Sequence, residues 1–139
     1  LRREAQARGI APQRLVFAPR MPLDEHLARH RLADLFLDTL PCNAHTTASD
    51  ALWAGLPVLT CAGQAFASRV AASLLHAVGL PELVTETQAA YEARAIALAR
   101  DAGQLDVLRS RLHAQAAASP LFDARRFARD LEEPCALRR

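Results

Sequence analysis

Residues 35–60 read LFLDTLPCNAHTTASDALWAGLPVLT. An apolar run, LFLDT, too short for a helix, meets a loop signal at Pro41-Cys42-Asn43. A helical stretch, HTTASDALWAG, then stops at Gly55, and Pro57 opens a further apolar run, PVLTCA, which closes at Gly63. Strand, loop, helix and strand in that order form the βαβ unit of a parallel sheet. The apolar runs show no alternation with polar residues, as expected for strands covered on both faces.

The same grammar extends outward. RLVFA (14–18) predicts a strand upstream, and MPLDEHLARHRLA (21–33) a helix started by Pro22 and Asp24. AFASRVAASLLHAVGL (65–80) predicts a helix stopped at Gly79, and ELVT (82–85) another strand. LRREAQARG closes a short helix at Gly9. From Thr87 the pattern is helical, as QAAYEARAIALARDA, GQLDVLRSRLHAQAAA and LFDARRFARDLEE, with a break at Ser119-Pro120. The fold class is therefore α/β: a Rossmann-like parallel sheet with helices on both faces and a helical C-terminal third. Leu52 and Trp53 are expected in the core.

The chain has 139 residues, 51% of them hydrophobic, enough for one domain with a core. A net charge of +2 is too weak to suggest a nucleic-acid partner. All 17 basic residues are Arg; a GC-rich coding sequence explains this more simply than phosphate binding does. No lysine of this chain can then serve as base, Schiff-base amine or phosphate ligand. Cys42, Cys61 and Cys135 are odd in number and widely spaced, which favours a reducing, cytoplasmic setting over a disulfide framework or a zinc site. No apolar run approaches the length of a membrane span, so no membrane partner is expected. The chain opens on LRREAQARGI, the end of a helix in pattern, which suggests a piece of a longer protein.

The helix at 46 begins with an unusual density of hydrogen-bonding groups. In doubly wound sheets, ligands sit beyond the carboxyl ends of the strands, at helix N-termini. There, free N–H groups and the positive end of the helix dipole attract a phosphate. Thr46 and Thr47 would add hydroxyl donors, and Asp50, one turn in, could accept two hydrogen bonds from a ribose diol. The competing explanation is a helix cap: Thr47-Ala-Ser-Asp50 loosely matches a capping box, and on spacing alone it leads. His45 favours a ligand, because it adds nothing obvious to a cap. In DEHLARHR (24–31), His26 and Arg29 share a helix face, suited to stacking on a base and donating to its carbonyl, or simply to solvent. Cys42 lies in the loop near the presumed ligand, or is a small buried residue. Ser68 and Arg69 are weaker anion candidates. No GxGxxG or GxxxxGK[ST] occurs, which argues against a Rossmann dinucleotide or Walker site. No DxD-like acidic cluster is present to hold a metal.

RLVFAPRMPLDEHLARHRLADLFLDTLPCNAHTTASDALWAGLPVLT, GQAFASRVAASLL and SPLFDARRFARDLE together resemble the C-terminal part of the O-linked N-acetylglucosamine transferase family, which includes the SPINDLY-like proteins. The likeness covers nearly the whole chain, in order. It implies that residues 1–139 are the C-terminal, nucleotide-sugar-binding domain of a GT-B glycosyltransferase, whose two Rossmann-like domains face each other across a cleft. The donor so implied is UDP-N-acetylglucosamine, transferred with inversion to Ser or Thr hydroxyls of a protein acceptor, with no metal or other cofactor. By that resemblance His26 packs on the uracil with Arg29 beside it, and His45, Thr46 and Thr47 meet the diphosphate. Asp50 holds the ribose, and Cys42 lies near the sugar. The resemblance also implies an upstream GT-B domain carrying the general base and a phosphate-binding Lys, and upstream tetratricopeptide (TPR) helical repeats that engage protein substrates; no catalytic residue is expected in this chain.

Three departures from animal-type members stand out: Leu23 where they have Lys, and Ala44 and Ala48 where they have Gly. Rival expectations are a SPINDLY-like fucosyltransferase using GDP-fucose and a non-catalytic GT-B half kept for protein contacts. A third is a regulatory domain with Asp38 as phospho-acceptor, which the lack of Lys disfavours.

Overall fold

The computed structural model describes residues 1–116 and 118–136, with side chains through residue 133. Cys135 falls outside the described side chains. Helices α1 (Arg2–Ala7) and α2 (Leu23–Arg29) precede strand β1 (Phe36–Leu37). Then come α3 (Thr46–Trp53), β2 (Val58–Cys61), α4 (Val70–Ala77) and β3 (Val84–Thr85). Three helices follow, α5 (Gln88–Arg100), α6 (Ala102–Ala116) and α7 (Ala124–Ala136).

The strands form a parallel sheet in the order β1-β2-β3. Phe36 pairs with Val58 and Leu37 with Leu59; on the other side of β2, Thr60 pairs with Val84 and Cys61 with Thr85. All four residues of β2 are buried. Since successive strand residues face opposite ways, both faces of the central strand are covered. The α/β class and its parallel sheet are thus as the sequence predicts.

The helices end where glycine allows it. In α3, the Gly55 N–H donates to Leu52 O (3.1 Å) and the Leu56 N–H to Ala51 O (2.8 Å). This paired pattern needs a left-handed residue just after the helix, and Gly55 has φ of 84°. Gly79 closes α4 in the same way, through Leu80 N to Leu75 O at 2.9 Å.

The core collects Ala48, Ala51 and Leu52 from α3, Val58 and Leu59 from β2, and Ala71 and Leu75 from α4. Leu98 of α5 and Leu105, Leu108 and Leu112 of α6 close it. Spacings of three and four residues put each helical set on one face. Each fully buried Leu contributes about 1.5–3 kcal/mol of transfer free energy. Within the helical C-terminal third α6 is therefore part of the core, packed on both α3 and α5, while the described side chains of α7 are exposed.

Four sequence expectations change. RLVFA (14–18) is not a strand: Val16 is 87% exposed and Phe17 54%. β propensity needs a neighbouring strand to act on, and this run pairs with none among the described residues; Arg2 instead lies over the Phe17 ring at 4.8 Å. Trp53 is not in the core but 63% exposed, touching Phe122 edge-on at 5.0 Å between ring centres. It follows Leu52 by 100° on the helix, which carries it off the buried face. The run 65–80 divides into a 3₁₀ turn at Phe66–Ser68 and α4. The predicted helix over 21–33 likewise ends at Arg29 and continues as a 3₁₀ turn, His30–Leu32.

Candidate functional site

The loop between β1 and α3 starts at Asp38. This carboxylate is 5% exposed, at the carboxyl end of the strand. Its Oδ1 accepts from Thr39 N–H at 2.8 Å and from Ala44 N–H at 2.7 Å. Its Oδ2 accepts from the Thr60 hydroxyl of β2 at 2.6 Å. Tyr91 of α5 donates its hydroxyl to the Asp38 carbonyl at 2.8 Å. One side chain thus ties both ends of the 39–44 loop to the middle of the sheet. Among the described residues Asp38 has no cationic partner; hydrogen bonds alone satisfy it. With both oxygens engaged, it is unsuited to the phospho-acceptor role. Burial first, then the Asp38 charge, then Cys61, raise the Tyr91 phenol above its ordinary pKa.

Further bonds hold the loop. Thr39 Oγ1 donates to Cys42 O at 2.8 Å and Asn43 Nδ2 to Thr39 O at 3.0 Å. Asn43 N–H donates to Ala67 O at 2.8 Å, joining this loop to the one after β2. The buried Asn43 Oδ1 has no partner among the described residues. Cys42 is exposed on the loop; the small-buried-residue alternative does not apply to it.

His45 is the residue before α3. Its Nε2 lies 3.4 Å from the Ala67 carbonyl. Phe66 meets the ring edge-on at 6.0 Å. Thr46 and Thr47 are the first two residues of the helix, both exposed. No side chain caps this helix, so the Thr47–Asp50 capping box is not formed. By contrast Thr87 caps α5 through Ala90 N–H (3.1 Å), Asp101 bonds Gln104 N–H at the start of α6 (2.9 Å), and Asp123 bonds Arg126 N–H in α7 (2.9 Å). The threonines of α3 stand inside the helix, too late to cap it. Asp50 is half-buried, one turn further on.

His26 and Arg29 sit on α2. His26 stacks edge-on against the buried His30 at 4.8 Å, and His30 Nδ1 donates to His26 O at 2.8 Å. Arg29 donates to Pro19 O at 3.2 Å. Both line an open cleft of about 550 Å³ that is also lined by Thr47 of α3 and by Leu35, Phe36 and Leu37 at β1. The structure therefore brings His26, Arg29 and Thr47 to one cleft. His45 and Thr46 stand at the same helix start, while Cys42 lies on the tied loop and Asp50 on the helix body. Ser68 spends its hydroxyl on Ala65 O at 2.8 Å, and Arg69 is exposed. No three His, Cys, Asp or Glu side chains gather at a possible metal site among the described residues.

Sequence reasoning missed Thr60, Asn43 and Tyr91. Thr60 carried a usable signal: it is a polar residue inside a continuous apolar strand, and such a residue needs a buried partner.

A parallel sheet built from βαβ units, with a polar loop and an uncapped helix start beyond its carboxyl edge, defines an α/β domain. The chain belongs to glycosyl transferase family 41, whose family model matches residues 1–131. It is 41% identical, over 133 residues, to a UDP-N-acetylglucosamine--peptide N-acetylglucosaminyltransferase of Caenorhabditis elegans, covering 96% of this chain and 12% of that protein. A probable enzyme of the same description from Arabidopsis thaliana, SEC, is 40% identical over 92% of this chain and 13% of its own length. A probable SPINDLY member from Solanum lycopersicum is 38% identical over 89% of this chain and 13% of its own length. The chain thus spans about an eighth of these relatives. A solved O-GlcNAc transferase variant from Thermobaculum terrenum superposes with a TM-score of 0.89 at 39% identity, covering 96% of this chain and 26% of that one. Among the described residues no helix is long and apolar enough to cross a membrane.

Proposed function

We propose that this chain is the nucleotide-binding domain of a cytoplasmic GT-B glycosyltransferase that uses UDP-N-acetylglucosamine and modifies Ser or Thr hydroxyls of proteins. The observation that carries this reading is the shared cleft, lined by His26, Arg29 and Thr47, the last at the uncapped start of α3. The names of the relatives support the donor, and the family supports the reaction class. In this reading His26 stacks on the base with Arg29 beside it. His45, Thr46, Thr47 and the first N–H groups of α3 receive the diphosphate. Asp50 accepts from the ribose hydroxyls, and Cys42 faces the sugar.

The acceptor hydroxyl attacks the anomeric carbon, its proton goes to a general base, and UDP leaves with the bonding electrons. The contribution of this chain is electrostatic: donors fixed in place before the reaction stabilise the charge that develops on the leaving diphosphate. No metal or other cofactor is invoked. A second domain, upstream, would face the cleft and supply the base, and helical repeats would bring the acceptor.

The test is a calorimetric titration of the chain with UDP, with GDP as competitor and Asp50→Ala as control. UDP binding that outcompetes GDP and is lost in Asp50→Ala supports the reading. Preference for GDP would instead support a SPINDLY-like GDP-fucose donor, consistent with relatives of that name. A folded chain that binds neither nucleotide overturns the assignment of the nucleotide to this domain alone and favours a non-catalytic half kept for protein contacts.

A further inference from the structure

We propose that Asp38 is the positioning residue of the anion site: its carboxylate holds the start of α3 where a diphosphate can be received. The inference rests on the reading of the cleft given above and adds a residue that touches no ligand. Asp38 Oδ1 binds the N–H groups at both ends of the loop, Thr39 at 2.8 Å and Ala44 at 2.7 Å. The loop between them is thereby closed on a single atom. Ala44 is followed directly by His45 and the first turn of α3, so the bond to Ala44 N–H sets where those donors stand. Oδ2 is anchored to Thr60, in the buried centre of the sheet, and the Asp38 carbonyl to Tyr91 of α5.

The placement has a cost that makes its purpose testable. A negative charge at the same end of the sheet as an anion site repels the anion. If Asp38 were only a neighbour of the site, removing its charge would strengthen diphosphate binding. If it positions the site, losing its charge-assisted bonds loosens the loop, and binding falls even though the repulsion is gone. Displacements of about 1 Å are enough to weaken a polar site strongly.

Asp38→Asn keeps the size of the side chain and discards its charge. Thr60→Val removes the hydroxyl that anchors Oδ2, and Thr60→Ser returns it. UDP and uridine are titrated into each variant, because uridine carries the base and ribose but no diphosphate. The expected result is a loss of UDP affinity of about tenfold in Asp38→Asn and Thr60→Val, recovery in Thr60→Ser, and uridine binding unchanged. Unchanged or tighter UDP binding overturns the proposal, as does an equal loss for UDP and uridine.

Amide hydrogen exchange gives a second readout that needs no nucleotide. Asp38→Asn should speed exchange at Thr39, Asn43 and Ala44, whose N–H groups the carboxylate and the loop now hold, while leaving the amides of Leu59 and Leu75 protected. Uniform acceleration, or none, overturns the proposal even in a chain that binds no UDP. Failure of the wild type to bind UDP, by contrast, counts against the reading of the cleft and leaves the exchange result to decide the role of Asp38.

Discussion

The His113 imidazole of α6 lies directly over the backbone of Gly55, the residue that ends α3. A Cβ built on Gly55 would stand 2.3 Å from His113 Cε1 and 2.6 Å from Nε2. Two demands thus meet at Gly55: a positive φ of 84° and room for a helix from the C-terminal third.

Gly55→Ala should therefore destabilise the chain chiefly through its backbone. The left-handed conformation costs about 1–2 kcal/mol for a residue with a Cβ, whereas the exposed His113 ring can swing aside from the added methyl. His113→Ala in the same chain should thus restore little of the loss. Urea denaturation of the two single variants and the double variant checks this.

The two adjacent helical residues Leu52 and Trp53 should rank opposite to their sizes. Leu52→Ala empties a fully buried position and should cost about 2–5 kcal/mol. Trp53→Ala removes an exposed ring with one edge contact to Phe122 and should cost about 0.5–1.5 kcal/mol. Thermal unfolding of both checks this.

Two threonines near helix starts should also differ. Thr87→Ala removes a formed cap and should cost about 1 kcal/mol. Thr47→Ala removes no cap and should leave stability within about 0.5 kcal/mol, yet it should weaken UDP binding. Denaturant midpoints and a UDP titration, run on both, distinguish a cap from a ligand residue. Equal destabilisation by the two changes would revive the capping explanation.

Alkaline pH should loosen the sheet edge through Tyr91. Its pKa is raised in the folded state, by burial first and the Asp38 charge second. The folded chain therefore holds this proton more tightly than the unfolded one. The resulting stability is fully present below the unfolded value of about 10 and is lost as pH rises through the higher folded value. Tyr91→Phe cannot ionise there, so its stability should fall less steeply above pH ~10. Stability measured against pH for both chains provides the comparison.

Much of the fold was legible because its signals are local. Apolar runs bounded by Pro41 and Gly55, and glycines at the ends of α3 and α4, need no distant partner to be read. The polar start at His45, Thr46 and Thr47 was legible as a feature, but its two explanations were not separable. A cap and an anion site use the same residue types, and only the absence of a side-chain bond across the first turn of α3 decides against the cap. RLVFA misled because strand propensity is fulfilled only by a neighbour, and Trp53 because size and apolarity do not say which way a helical residue faces.

The sequence by itself determined the alternation of strands and helices from Leu35 to Thr85, the glycine stops and the residue types offered at the start of α3. These follow from backbone sterics and side-chain chemistry within a few residues. Only the tertiary structure decided that Asp38 is spent on the loop ahead of α3, that Thr60 and Tyr91 anchor it, and that His26, Arg29 and Thr47 line one cleft. Those pairings join residues far apart in the chain, and a buried carboxylate takes whichever donors the packed sheet brings within reach.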